Sequence, residues 1–202
     1  TNDAWVADRG GGYWEEFDDE ERAKMLKDLD EMEAMIHAAI AYARGDRDGE
    51  APIPVDIVDL LEEVRMEMAE AGRRVGLEGP PRAPWEGRPL ALKRALRNLV
   101  ENAVNYGGHA DLRVAVTPVD IIITVEDDGP GIQEAELEKV FMPFYRLERS
   151  RSRSTGGVGL GLAVARAAIR EHGGDITLAN RPTGGLRQTV VLPRSGWQGS
   201  AL

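Results

Sequence analysis

The spacing of apolar residues changes character three times along this chain. Between residues 18 and 44, Met25, Leu29, Met32, Ile36, Ala39 and Ala43 recur at alternating intervals of four and three. That is the a/d seam of a helix that packs against a partner helix. Asp18 or Asp19 can cap its start, Glu20 and Glu21 suit its positive end, and Gly45 stops it. The partner is either the helix's own domain or a bundle or dimer. The polar break at residues 46–50 favours the bundle or dimer. After Pro52 the period shifts repeatedly. A short strand begins near Val55, and residues 60–71 read as a helix ended by Gly72. Pro80, Pro81, Pro84 and Pro89 punctuate a loop. Residues 90–106 form a strong helix with Leu92, Leu96, Leu99 and Ala103 on one stripe. Residues 112–117 and 121–127 alternate as two strands. Residues 133–157 are irregular apart from a short helical stretch at 135–141. Residues 158–171 form a helix stopped by Gly173-Gly174, and strands at 175–179 and 186–192 flank the turn Thr183-Gly184-Gly185. Strands interleaved with helices that cover one face predict an α+β fold, a two-layer α/β sandwich over residues 52–195. Residues 18–46 form a separate helix before it. Residues 1–17, with Trp5, Tyr13, Trp14 and Phe17 around Gly10-Gly11-Gly12, match no element, and 196–202 read as a tail.

Composition narrows the function. Apolar residues make up 42% but aromatics only 5%, so the core must be mainly Leu, Val, Ile and Ala. A net charge of -10 opposes binding to a phosphate backbone and so disfavours nucleic acid as a partner. Without Cys there is neither a disulfide framework nor a thiolate metal site. No apolar run approaches the roughly 20 residues of a membrane helix.

Three clusters carry chemistry. On the 90–106 helix, Asn98, Asn102 and Asn105 sit at i, i+4 and i+7 and share one face, off the Leu stripe. Asn is a mediocre helix former, and three on one face cost stability without a use. A neutral amide oxygen can ligate Mg²⁺, which usually bridges phosphates and keeps few protein ligands. A solvated polar face is the alternative. In the strand 121–127, alternation puts Ile121, Ile123, Val125 and Asp127 on one face, with Asp128 pointing away. A carboxylate on the core side must find donors, and the exocyclic amine of adenine is one. Gly129 and Gly131 let the backbone turn sharply and approach a flat ligand, although Asp-Gly-Pro-Gly is also good turn sequence. Last, Gly157-Val158-Gly159-Leu160-Gly161 opens a helix. Backbone N–H groups at such a start bind phosphate, and a flexible hinge would look the same. No Lys-Ser/Thr follows, which excludes a Walker loop. Between the last two clusters lie the aromatic run 141–145 and the cations Arg146, Arg149, Arg151 and Arg153, suited to polyphosphate.

In this order, the clusters closely resemble the histidine-kinase family of two-component signalling proteins, within the ATPase superfamily that includes gyrase. The resemblance covers residues 19–194: 99–106 is similar to the family's N box, 125–132 to its G1 box, 141–145 to its F box and 157–162 to its G2 box. It implies Asn102 as Mg²⁺ ligand, Asp127 as adenine anchor and Tyr106 and Ile132 beside the nucleotide. It further implies a lid over 133–156, in which Arg146 can stand in for the phosphate cation that many relatives carry at the position of Asn105. The expected ligands are ATP and Mg²⁺, and the expected activity is transfer of the γ-phosphoryl group to a histidine on a dimerisation helix. Residues 18–46 resemble the second helix of the dimerisation and phosphoacceptor hairpin. A homodimeric parent, a response regulator as partner and a cytoplasmic portion of a protein anchored in the bacterial inner membrane are also implied. Two departures stand against the pattern. The family's acceptor His is followed by an acidic residue and then Pro, and none of His37, His109 and His172 has that context. Asn105 stands where many relatives carry a cation. A nucleotide-binding module without chemistry, or an ATP hydrolase of the gyrase type, are the alternatives. The hydrolases need Glu at the position of Asn98, a poor base.

Overall fold

A computed structural model describes Asp18, Met25, Leu26 and residues 50–147 and 159–194. The chain divides into two compact units, Thr1–Ile40 and Ala41–Leu202, and the fold below belongs to the second. The helix expected over 18–44 lies outside the described residues apart from Asp18, Met25 and Leu26, the last two being helical. Residues 1–17 and the tail at 196–202 also lie outside them.

Strand β1 (Ile53–Asp56) leads into helix α1 (Ile57–Glu70), followed by β2 (Arg74–Glu78), β3 (Pro84–Gly87) and α2 (Pro89–Gly107). Then come β4 (His109–Val116), β5 (Asp120–Glu126), two 3₁₀ turns (Glu134–Glu136 and Lys139–Phe141), α3 (Gly161–Glu171), β6 (Asp175–Asn180) and β7 (Leu186–Pro193). The sheet runs β2-β4-β5-β7-β6, parallel between β2 and β4 and antiparallel elsewhere; β1 and β3 pair separately. All three helices contribute to one core. Ile57, Leu61 and Val64 of α1, Leu92, Leu96 and Leu99 of α2 and Ala165 and Ile169 of α3 are buried with Ile121, Ile123 and Val125 of β5 and Val190 and Leu192 of β7. This is the expected two-layer sandwich.

Three expectations are corrected. The stretch around Pro80–Pro89 is more than a loop: β3 lies within it, and β2 precedes it. The expected helix at 135–141 is a pair of 3₁₀ turns. The helix expected from residue 158 starts at Gly161, because Gly159 adopts φ 77° and breaks the turn before it.

The helix that carries the Asn face is fixed at both ends. Glu50 accepts from Leu90 N at 2.8 Å and Ala91 N at 3.2 Å, which satisfies orphan donors of the first turn. Pro89 occupies the first turn, where a missing N–H costs nothing. At the other end Gly108 takes φ 80° and bonds Val104 O at 2.9 Å, a left-handed cap that turns the chain into β4. His172 closes the packing between α3 and α2. Its Nδ1 lies 2.7 Å from Ala168 O and must carry the proton, so Nε2 accepts from Arg88 N at 3.1 Å. Burial first, then the Arg88 charge, lowers its pKa, against the carbonyl of Ala168 and the Glu171 and Glu50 charges. A neutral, structural histidine results.

Candidate functional site

Asp127 follows β5 directly and is 2% exposed. The alternation that buries Ile121, Ile123 and Val125 carries it to the same face. Its Oδ1 accepts from Gly129 N at 2.8 Å and Leu186 N at 3.3 Å, and its own N–H donates to Leu186 O at 3.1 Å. No described residue donates to Oδ2. Burial pushes this carboxyl above the usual range, opposed by those two N–H groups and the Arg181 charge. A buried carboxylate with one oxygen saturated and the other unused is an acceptor waiting for a donor.

The backbone closes tightly around it. A Cβ at Gly107, the last residue of α2, would lie 2.5 Å from Asp127 Cβ, and one at Gly185 would overlap Asp127 O. Only glycine lets α2 press on the Asp127 side chain and the β6–β7 turn on its backbone carbonyl. A Cβ at Gly129 would lie 2.9 Å from both Asp127 Oδ1 and Tyr106 O. Gly129 is therefore required by the loop itself. Gly131, at φ 69°, has Asn180 Oδ1 2.6 Å from where its Cβ would be. Asn180 in turn holds Ile132 at both polar atoms, accepting from its N at 2.8 Å and donating to its O at 2.6 Å.

Asp128 points outward, as alternation requires. It meets Arg181 Nη1 at 2.6 Å and lies 3.6 Å from His109 Nε2. Arg181 Nη1 also donates to Asp127 O at 2.6 Å. Behind this, Glu126 is buried among Arg187 (2.5 Å), Arg113 (3.0 Å) and Arg181 (3.8 Å). Burial raises the pKa of Glu126, but the three guanidinium groups outweigh it and hold the carboxyl below its ordinary value.

Along α2, Asn98 and Asn102 are partly buried, and Asn105 and Tyr106 are exposed. Asn98 faces the start of α3: its Oδ1 is 3.7 Å from where a Cβ on Gly161 would stand. The Asn face and the glycine-led helix start therefore adjoin. Gly157 and Val158 lie outside the described residues, as do Arg149, Arg151 and Arg153. Gly159 accepts from Phe144 N at 2.9 Å, and its missing Cβ leaves room for Arg146 Cγ, 3.2 Å away. Arg146 is thus brought to the same helix start. Leu160 is buried and accepts from Val164 N at 2.8 Å. Phe144 adopts φ 65° with its ring exposed, a left-handed conformation that costs about 1–3 kcal/mol in a bulky residue. Phe141 by contrast lies under Arg166, 4.2 Å from ring centre to guanidinium carbon.

The sequence clusters thus converge on one region between α2, the β5 end and the start of α3. Gly107, Asn180, Arg181 and Gly185 join them without having stood out in the sequence. Gly185 was legible only as a turn residue, and nothing local marks Asn180 or Arg181.

A sandwich with a buried, half-satisfied carboxylate at a strand end, opposite a glycine-led helix start, defines a nucleotide-binding ATPase fold. The family described as histidine kinase-, DNA gyrase B- and HSP90-like ATPase matches residues 87–196, just over half of the chain, and the chain belongs to it. The sensor histidine kinase GtrS of Pseudomonas aeruginosa PAO1 is 39% identical over 89% of this chain and 37% of its own length. The sensor histidine kinase CpxA of Escherichia coli K12 is 41% identical over 67% of this chain and 30% of its own. The chain thus spans about a third of these curated relatives. Among solved structures, the ATP binding domain of PrrB from Mycobacterium tuberculosis is 31% identical with a TM-score of 0.59, over 72% of this chain and 98% of that one. The matched region is an ATPase domain of the kind these sensor histidine kinases carry. Among the described residues no helix is long and apolar enough to cross a membrane.

Proposed function

We propose that this chain is the catalytic portion of a sensor histidine kinase, binding Mg-ATP and passing the γ-phosphoryl group to a histidine on a dimerisation helix. The observation that carries the reading is Asp127: a buried carboxylate whose Oδ1 is consumed by Gly129 and Leu186 and whose Oδ2 is left for the exocyclic amine of adenine. Ile132 and Tyr106 flank that anchor. Asn98, Asn102 and Asn105 line the route from the base toward α3. Gly159, Leu160 and Gly161, with Gly157 and Val158 before them, offer backbone N–H groups to phosphate at a helix start.

The donors near α3 suit a magnesium ion held chiefly by phosphate. They are neutral amides, and among the described residues no cluster of three His, Cys, Asp or Glu side chains could hold a metal. Asn102 would ligate it. The ion would supply charge neutralisation between phosphate oxygens. Among the described residues, Arg146, backed against Gly159, is the cation assigned to the transferred group. Asn98 stands where a hydrolytic relative needs a carboxylate base. An amide cannot take a proton from water, which favours transfer over hydrolysis.

The partner side follows the same reading. A homodimeric parent supplies the acceptor histidine, and a response regulator receives the phosphoryl group. Residues 18–46 are proposed as the second hairpin helix and 52–195 as the catalytic domain. In the parent this portion would sit in the cytoplasm beneath an inner-membrane anchor. The test is incubation of the chain with γ-labelled ATP and a separately purified intact hairpin of the parent. Acid-labile, base-stable label on the hairpin is expected. Nucleotide binding without such label would leave a binding module only.

A further inference from the structure

Asn180 ends β6, and its partner across the sheet is Leu186, the first residue of β7. Its side chain does not continue the sheet. It reaches Ile132, 48 residues away in sequence, and bonds both polar groups of that residue's backbone. A side-chain amide carries both an acceptor oxygen and a donor NH₂, and here one bond of each kind goes to a single residue's backbone, as a neighbouring strand would pair with it. Ile132 needs this because the chain before it cannot pair. Pro130 lacks an N–H, and Gly131 takes φ 69° to leave β5's direction. The adjoining Arg181 holds the other end of the same loop through Asp127 O and Asp128 Oδ1, each at 2.6 Å. Two consecutive residues at the end of β6 thus clamp both ends of the segment running from Asp127 to Ile132.

We infer that Asn180 is a positioning residue for the adenine end of the site: it fixes Gly131 and Ile132 against the base while Arg181 fixes Asp127. Asn180 touches no ligand in this role and acts through the backbone of Ile132. The inference rests on the nucleotide reading above. It also explains Gly131, whose Cβ would occupy the space of the Asn180 amide. Without the amide, Ile132 loses both of its anchors, and the loop must be ordered when the base binds rather than beforehand.

The test uses the whole 202-residue chain. ATP and ADP binding are measured by calorimetry for the parent, Asn180→Ala and the exposed same-strand control Thr177→Ala. The hydrogen exchange of the Ile132 amide is followed by NMR. Asn180→Ala is expected to weaken ATP and ADP by the same factor of about ten, or about 1.4 kcal/mol, since both share the base. The binding-competent fraction and the melting temperature should match those of Thr177→Ala, and Ile132 exchange should accelerate. A merely structural role would lower the competent fraction and leave the dissociation constant unchanged. That result, or an unchanged affinity, overturns the inference. Asp127→Asn separates the two readings. If it weakens nucleotide binding while Asn180→Ala does not, the positioning role alone fails. If neither changes affinity, the nucleotide site itself is misplaced.

Discussion

Replacing Asp127 by Asn changes one atom and reverses the sense of one hydrogen bond. Gly129 N and Leu186 N both donate to Oδ1, so the amide oxygen of Asn must take that position. The NH₂ group then occupies the place of Oδ2 and presents a donor to the donor amine of adenine. A hydrogen bond to a charged acceptor is worth about 1.5–3 kcal/mol, and a buried donor left unpaired costs about 1–3 kcal/mol. The sum is about 3 kcal/mol or more, which corresponds to roughly a hundredfold or greater rise in the dissociation constant for ATP. Stability should move the other way. Burial raises the Asp127 pKa, so its charged form is disfavoured in the fold, and a neutral amide of the same shape relieves that. Calorimetric titration with ATP and thermal unfolding of the same samples read both effects. The expected pair is lost affinity with an unchanged or raised melting temperature. ATP binding within experimental error of the parent would refute the placement of adenine at Asp127. Loss of affinity together with a lower melting temperature would show that the carboxylate serves the fold.

The remaining expectations address the other groups. ATP affinity should also fall as pH drops through the raised pKa of Asp127, from above the ordinary 3.8, since only the carboxylate accepts from the amine; a flat profile would contradict this. Asn102→Ala should abolish the Mg²⁺-dependent part of ATP affinity, read by titration with and without the ion, and leave metal-free binding in place. His172 has a pKa below 6.5, so the native state binds fewer protons than the unfolded one. Stability should be full above pH 6.5 and decline as pH falls below it toward the native-state pKa; an equal slope in His172→Gln would remove that assignment. Leu96→Ala, in the buried stripe of α2, should cost about 2–5 kcal/mol in denaturant unfolding.

Much of the fold follows from local pattern. The stripe Leu92, Leu96, Leu99 and Ala103 sets both the length and the buried face of α2, and it is the helix observed. Alternation in β5 places Asp127 on the core side without reference to any other element. β2 escaped notice because it offers only Val75 and Leu77 around Gly76, on a sheet edge where both are only partly buried. β3 is hidden by the prolines around it and by Pro84 at its first position, tolerated because β3 pairs with β1 alone. The start of α3 was misjudged by three residues because glycine permits both a helix start and the left-handed turn that delays it at Gly159. The brace of the loop from Asp127 to Ile132 was invisible for a different reason. Asn180 and Arg181 act at separations of 48 and 54 residues, and no local period encodes a contact of that range.

The two ends of the site are built on different principles, and this bears on how the protein would turn over. At the proposed base end several polar atoms are tied to the fold: Asp127 Oδ1 by two N–H groups, Asp127 O by Arg181, and Ile132 N and O by Asn180. A preorganised base pocket costs little ordering on binding, so affinity can be spent there. At the proposed phosphate end, the backbone bond from Phe144 N to Gly159 O is made by a residue in a costly conformation. Strain of that kind persists only while its surroundings enforce it. Rearrangement at Phe144, two residues before Arg146, would release that strain. A phosphoryl-transfer enzyme needs this division, because the base must stay bound while the groups around the γ-phosphate change partners.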